Sequence, residues 1–321
     1  MATISSPFRH ADTQGDYGYA SVILAERLRM GLADALNPLD LAAVAYMGDL
    51  GGSGSDTVRV PFADGLGFDA SMTTLATETT AVPFGSFTSG NDTITIAAHG
   101  LGYQSSYLAR MLALPAEQVV HQFDSLVGMI TNSWIKTFRA KVATTGATFS
   151  TAVGGAGTTL DVDDLLDIVA DYNETDGADP SQAVLMLHPV QLSQLRDSLR
   201  SETAFQNSIA DFAAVQGVRG RVYPNFLGLG IDVGVTSDVT TSGGAYQGFM
   251  YSRGALMWAS ANPDRIAPAV PHVTVPEFGL LVQQGMDQNG QQVQSTEAFA
   301  YFGVAKADAS VAFGQRLIST T

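Results

Sequence analysis

The chain has 321 residues with 45% hydrophobic content, enough to bury a sizeable core and to build two compact lobes. Sixteen Lys and Arg against 31 Asp and Glu leave a net charge of −15, a field that repels phosphate backbones and argues against a sequence-reading DNA or RNA binder. No cysteine is present, which excludes disulfides, thiol nucleophiles, thiolate zinc sites and iron–sulfur clusters together.

Charged residues make up only 15% of the chain, against about 25% in an ordinary soluble domain, and such a surface suits a subunit with extensive covered interfaces. Met1 to Asp16 is polar and lacks the basic and apolar regions of a secretory signal, so export by that route is not expected. The longest apolar runs, such as Leu39 to Met47, fall well short of the roughly 20 residues that span a bilayer as a helix, and no membrane role is expected.

Along the chain, Leu24, Leu28, Leu32 and Leu36 recur four apart between Tyr19 and Leu36, a narrow apolar stripe on a helix that Glu26, Arg27 and Arg29 keep partly solvated. The stripe reads either as an arm helix lying on a partner or as half of a helical hairpin within one core. Asn37-Pro38 supplies an N-cap and an N1 proline for a second helix, Pro38 to Tyr46. From Asp56 to His99 the texture turns to β: Val58 and Val60 alternate with Arg59, and Thr93-Ile94-Thr95-Ile96 alternates again. Roughly thirty loosely patterned residues separate those strands, where loops beyond about 12–15 residues are uncommon and usually functional. A projecting β-hairpin with a partner to lie on explains this spacing.

Pro115 opens the most strongly patterned element: Val119, Val120, Phe123, Leu126, Val127, Ile130, Trp134 and Phe138 recur at three and four. One helix running to about Thr144 would measure roughly 45 Å. Glu117 in its first turn and Lys136, Arg139 and Lys141 in its last would complement the helix dipole. A Gly-rich link, Thr144 to Thr159, leads to a helix capped by Asp161, with Asp163 and Asp164 in its first turn and Leu165, Ile168, Val169 and Tyr172 on its buried face. A buried strand, Ala183 to Leu187, ends at His188-Pro189, and Pro189 starts a helix through Leu199. Ser201 caps a third helix closed by Gly217, and strands Gly230 to Thr236 and Tyr246 to Tyr251 complete a mixed lobe over residues 160–252. In the last region, Phe278 to Met286 and Gln291 to Ala305 flank Asp287-Gln288-Asn289-Gly290, a hairpin signal.

Catalytic signatures are missing. No GxxxxGK[ST] loop or GxSxG elbow occurs, and Gly228-x-Gly230 leads into a strand where a dinucleotide fingerprint requires a helix. The five histidines show no paired-ligand spacing, and Asp161, Asp163 and Asp164 lack the glycine and distal glutamate of a calcium loop, so helix capping is the favoured reading. No enzyme activity, cofactor or metal is expected.

The order of these elements resembles the Hong Kong 97-type fold of tailed-phage major capsid proteins. Local matches are Ala183-Val184-Leu185-Met186-Leu187-His188-Pro189, the Leu227-Gly228-Leu229-Gly230-Ile231 turn, and Tyr301-Phe302-Gly303-Val304-Ala305 followed by Ala309-Ser310-Val311-Ala312. The resemblance implies an α+β chain with an N-terminal arm (1–55), an extended β-loop (56–99), a peripheral domain with a long spine helix (100–159), an α/β axial domain (160–252) and return strands of the peripheral domain (253–321). It implies a major capsid protein, a virion component assembled in the host cytoplasm from pentamers and hexamers of itself, with a separate scaffolding protein or prior processing, a portal, and packaged double-stranded DNA held without sequence reading. An encapsulin-like compartment shares the fold, and a secreted β-rich adhesin or hydrolase is the reading outside it. Covalent cross-linking is not expected, because Lys136, Lys141 and Lys306 are the only lysines and none lies on the Val58 to Ala98 segment.

A closed shell needs heterologous contacts repeated by rotation. The expected contact residues are Val58, Glu78, Phe84 and Ile94 on the extended loop, Leu24 and Leu28 on the arm, and Arg139 on the spine helix. Glu78 is a candidate partner for Arg139 or Lys141 across a contact, with a solvated loop charge as the competing reading, since exposed pairs contribute only about 0–1 kcal/mol.

Overall fold

A computed structural model describes residues 24–33, 44–49, 55–64, 88–106, 116–174, 183–201, 222–223, 229, 231–265, 272–285, 293–307 and 312–320. Helix α1 covers residues 24–33. Strands β1 (Val44–Asp49), β2 (Thr57–Asp64), β3 (Thr88–Thr95) and β4 (Ala97–Ser106) precede the long helix α2 (Ala116–Gly146). Then come β5 (Ala152–Gly154), α3 (Val162–Glu174), β6 (Val184–Leu187), α4 (Pro189–Ser201), β7 (Val222–Tyr223), β8 (Asp232–Val235), β9 (Thr241–Ser242), β10 (Ala245–Tyr251), β11 (Leu256–Ser260), β12 (His272–Val275), β13 (Leu280–Gly285), β14 (Val293–Lys306) and β15 (Gly314–Thr320).

Two sheets organise the chain. The first runs β1-β11-β14-β13-β12, with β4 on the opposite side of β14. Across its face lies α2, whose apolar stripe, Ile130, Trp134 and Phe138, is buried against Trp258, Phe278 and Phe302. Trp134 stacks on Phe138 with ring centroids 5.1 Å apart, meets Phe278 edge-on at 5.5 Å, and donates its indole N–H to the Phe278 carbonyl at 3.1 Å. The bond gives the polar end of a buried indole the acceptor that it needs.

The second sheet runs β5-β15-β10-β6-β8-β7, with β9 on β10. One face carries α3 and α4 through Leu165, Ile168, Leu192 and Leu195, and the other joins the first core through Met186, Phe249 and Tyr251. At the start of α3, Asp161 Oδ1 accepts the Asp164 N–H at 2.9 Å while Asp164 Oδ2 accepts the Asp161 N–H at 3.3 Å, a reciprocal cap that satisfies two otherwise unpaired donors. Partial burial, with the Asp161 and Asp167 carboxylates nearby, raises the Asp164 pKa from its ordinary value.

Several expectations change. The helix expected over Pro38 to Tyr46 is replaced from Val44 onward by β1, which pairs parallel to β11 through Val44↔Leu256 and Tyr46↔Trp258; residues 38–43 lie outside the described residues. An apolar run of that length fits a helix face or a buried strand equally well, and long-range pairing decides. Helix α2 extends to Gly146, so Lys136, Arg139 and Lys141 sit before its last turn, which holds no basic residue. The Gly-rich link contains β5, held parallel to β15 by Arg316↔Ala152 and Leu317↔Val153. β4 runs through the expected boundary at residue 99 as a continuous edge strand. β15 joins the sheet of the α/β lobe and not the sheet of β11–β14, so the region 253–321 is divided between two sheets. The helix expected after Ser201 and the Asn289-Gly290 turn lie outside the described residues, although β13 and β14 pair as a hairpin would, Gly285↔Ser295 through Leu280↔Ala300.

Candidate functional site

No catalytic constellation emerges from the described residues, and the surfaces left incomplete within one subunit are the candidate site. β2 and β3 form a two-stranded sheet of their own, Thr57↔Thr95 to Asp64↔Thr88. The Ile96 N–H donates to the Asp56 carbonyl at 2.7 Å, so the pairs alternate from there: 58/94 and 60/92 face each other, while Thr57, Arg59, Pro61, Asn91, Thr93 and Thr95 turn their backbone groups outward. Pro61 therefore sits where its missing N–H costs the ladder nothing. Side chains alternate too. Val60 and Ile94 are buried against Met257, Ala259 and Ala307, with Val58 and Ile96 packed beside them, while Arg59, Asn91, Thr93 and Thr95 are exposed.

The ribbon's seat is set by Gly303. A Cβ there would fall well inside van der Waals distance of the Thr95 carbonyl oxygen, 2.8 Å from its carbonyl carbon and 3.2 Å from Ile94 Cγ2. Only glycine lets the two backbones approach so closely.

Four of the expected contact residues pack within their own subunit. Ile94 is fully buried inside its own subunit and Val58 packs on the same cluster, because the apolar face of an amphipathic ribbon turns to the nearest core. Leu24 and Leu28 are likewise buried, in the core that holds Trp134 and Phe138, and α1 is fixed there by ion pairs from Arg27 to Asp124 and from Arg29 to Glu277, the latter at 3.0 Å. The arm helix therefore lies on its own spine helix. Arg139 is half-buried on α2, and Glu78 and Phe84 lie outside the described residues.

Charge is unevenly placed. Residues 60–92 carry Asp64, Asp69, Glu78 and Asp92 and no Lys, Arg or His. All three lysines lie on α2 or the end of β14: Lys136, Lys141 and Lys306 are exposed, and Lys306 Nζ donates to the Thr148 carbonyl at 3.1 Å. Between α2 and the β4/β14 edge, a cavity of about 40 Å³ is lined by His99, Ser133, Trp134, Thr137 and Phe302, room for about one water molecule. Burial, with Lys141 adding to it, lowers the His99 pKa.

The α/β lobe carries a second capping device that the sequence hides behind a strand-ending His-Pro. His188 Nδ1 accepts the Val190 N–H at 3.2 Å, and Gln191 Oε1 accepts the His188 N–H at 3.0 Å. Gln191 Nε2 then donates to the Leu317 carbonyl at 3.0 Å, tying the start of α4 to β15. The His188 ring stacks on Tyr246, centroids 3.8 Å apart. Nδ1 accepts only when unprotonated, and burial lowers the His188 pKa below its unfolded value of 6.5. Its contribution to stability is complete above pH 6.5 and is lost as pH falls through the folded value. A chemical-denaturation midpoint that drops between pH 7.5 and pH 5 in the native chain should drop less in His188→Asn, where an Asn cap accepts the same N–H at both values.

No family model matches the chain, and no curated protein matches it by sequence. Solved structures do match it in shape. The capsid of Ralstonia phage GP4 superposes with a TM-score of 0.53 at 12% identity, covering 87% of this chain and 87% of that one. The acid-stable capsid of Helicobacter pylori bacteriophage KHP30 gives 0.53 at 12% identity over 86% and 88%, and the capsid of Myoviridae phage XM1 gives 0.51 at 12% over 89% and 92%. Coverage of this extent takes in both sheets and the long helix, in the order that the sequence presents them, and the chain has the α+β Hong Kong 97-type capsid fold.

Proposed function

We propose that this chain is a major capsid protein that assembles with copies of itself, as pentamers and hexamers, into an icosahedral shell around double-stranded DNA. The observation that carries the reading is the β2–β3 ribbon: a two-stranded sheet is marginal alone, and this one rests on its subunit by one face while its other face and outer backbone edge stay exposed. A capsid fold over most of the chain and a net charge of −15, which leaves packaged DNA unbound and movable, support it. No enzymatic step is part of this role. A separate scaffolding protein and a portal are its proposed partners, and the virion its location.

In this reading the acidic ribbon of one copy lies across a neighbour whose Lys136, Arg139 and Lys141 offer the opposite charge, and Glu78 and Phe84, which fall between its two strands in sequence, are proposed contacts there. The test is electron microscopy of the purified chain beside a variant lacking Gly65 to Pro83. Closed angular particles are expected from the full chain, and folded subunits without closed particles from the deletion. Normal particles from the deletion would remove the ribbon from the assembly, and single molecules from both would remove the capsid function. Nucleic acid inside the native particles is expected, and enclosed enzymes in its place would reassign the shell to a cellular compartment.

A further inference from the structure

β4 is a ten-residue edge strand with only β14 beside it among the described residues. Its sequence, Ala97-Ala98-His99-Gly100-Leu101-Gly102-Tyr103-Gln104-Ser105-Ser106, contains no Pro, Lys, Arg, Asp or Glu, the residues that proteins place on an edge to keep other strands away. The β12 end of the same sheet is blunted: β12 has four residues and lies between Pro271 and Pro276.

The pairing phase of β4 follows from β14. The Tyr301 N–H donates to the Gly279 carbonyl at 2.9 Å and the Tyr301 carbonyl accepts from Ala261 at 3.0 Å, so Tyr301 faces β11 and β13, and Phe302, Ala300 and Ala298 face β4. Their partners Ala97, His99 and Leu101 are the bonded residues of β4, and Ala98, Gly100 and Gly102, all exposed, turn their N–H groups outward.

Among the described residues, β3 offers a second open edge of matching chemistry. β3 points Asn91 and Thr93 outward, both exposed, before Thr95 closes on Gly303 of its own β14, whereas the corresponding edge of β2 is interrupted by Pro61. The two open edges cannot meet within one molecule, because Ile96 alone separates β3 from β4 and a strand cannot fold back onto its own immediate continuation. The open part of β3, Thr88 to Thr93, faces a ten-residue strand, and neither outward row carries a charge.

We infer that in the shell the outer edge of β3 from one copy pairs with the outer edge of β4 from a second copy, extending the neighbour's sheet by the whole ribbon. This rests on the capsid reading and adds the joint that the reading leaves unspecified. The contact is heterologous, edge of one element to edge of another, so it repeats around a ring and does not close on itself in pairs. Specificity comes from backbone bonding, as in other additions of a strand to a sheet.

Two variants and one measurement on the native chain test it. Thr93→Pro and Gly102→Pro each remove one outward N–H and no ladder donor, as Pro61 already does on β2; a Cβ at Gly102 meets nothing within 4 Å. Each should give a subunit with an unchanged melting profile and at least about tenfold fewer particles, whereas Gly102→Ala, which keeps the N–H, assembles normally. On native particles, hydrogen exchange in peptides from 88–95 and 97–106 should slow at least about tenfold relative to dissociated subunits. Normal particle yields from both proline variants, or exchange that does not change on assembly, would overturn the pairing while leaving the capsid function standing. Should a proline variant misfold, the exchange measurement decides. A different protein chain found seated on β4 would overturn it also, and absence of particles from the native chain would remove the capsid function and the pairing together.

Discussion

Changing Gly303 to alanine should yield a subunit that folds but no longer builds particles. The added Cβ meets the Thr95 carbonyl group, which is backbone on both sides of the contact, so no side-chain rotation relieves it. Either β14 shifts, at the cost of its register with β11 at Ala259↔Gly303, or the base of the ribbon lifts away from it. The second is the cheaper path, because the ribbon is held there by one small cluster, Val60 and Ile94 on Met257 and Ala259, whereas β14 is bonded along both sides. Overpacking of this kind costs about 1–3 kcal/mol. That is small against the stability of the whole subunit but large against the hold on a marginal ribbon. The expected result is a nearly unchanged thermal transition, faster proteolysis between residues 57 and 95, and loss of assembly. Unchanged proteolysis with normal particles would show that the approach at Gly303 does not aim the ribbon.

Trp134→Ala should have the largest effect on the subunit itself. Trp134 is 3% exposed at the centre of the first core, within 6.5 Å, centroid to centroid, of Phe138, Phe278, Phe302 and Trp258. Truncating a buried aromatic of this size costs about 3–5 kcal/mol, and the Phe278 carbonyl loses the indole donor, which adds about 1 kcal/mol. Against a total of about 5–15 kcal/mol, that is enough to leave much of the protein unfolded at moderate temperature. Trp134→Phe, which keeps the ring but loses the donor, should recover most of the difference. Equal melting temperatures for Trp134→Ala and the native chain would place the core elsewhere.

Much of this architecture is visible in local pattern. The stripe that runs to Trp134 and Phe138 specifies a long helix and its buried face, and Val58-Arg59-Val60 with Thr93-Ile94-Thr95 specifies the ribbon and which side of it is apolar. Periodicity reports that a face is covered, and not by what. Leu24 and Leu28 read as a contact face and are one, but the surface they meet is α2 of the same chain, which is nearly a hundred residues away in sequence. β4 is harder to see for a different reason. Gly100 and Gly102 lower its strand propensity, and it exists because β14 offers ten residues of pairing across nearly two hundred positions of chain. β15 belongs to the sheet of the α/β lobe through Ala245↔Thr320 to Tyr251↔Gly314, a partnership that no feature of Gly314 to Thr320 itself announces. The cap at His188 did have a signal: a polar residue, Pro at the next position and Gln at the third, which is the spacing of a capping box with histidine in the serine position.

The exposed half of the ribbon is expected to find its support on another copy of the chain. Sedimentation of the purified native protein over a range of concentrations, followed by cryo-electron imaging of the fastest species, tests it most directly. Closed particles are expected in which every copy's ribbon lies on a neighbouring subunit. Single subunits at every concentration, or particles whose ribbons touch only their own chain, would contradict it.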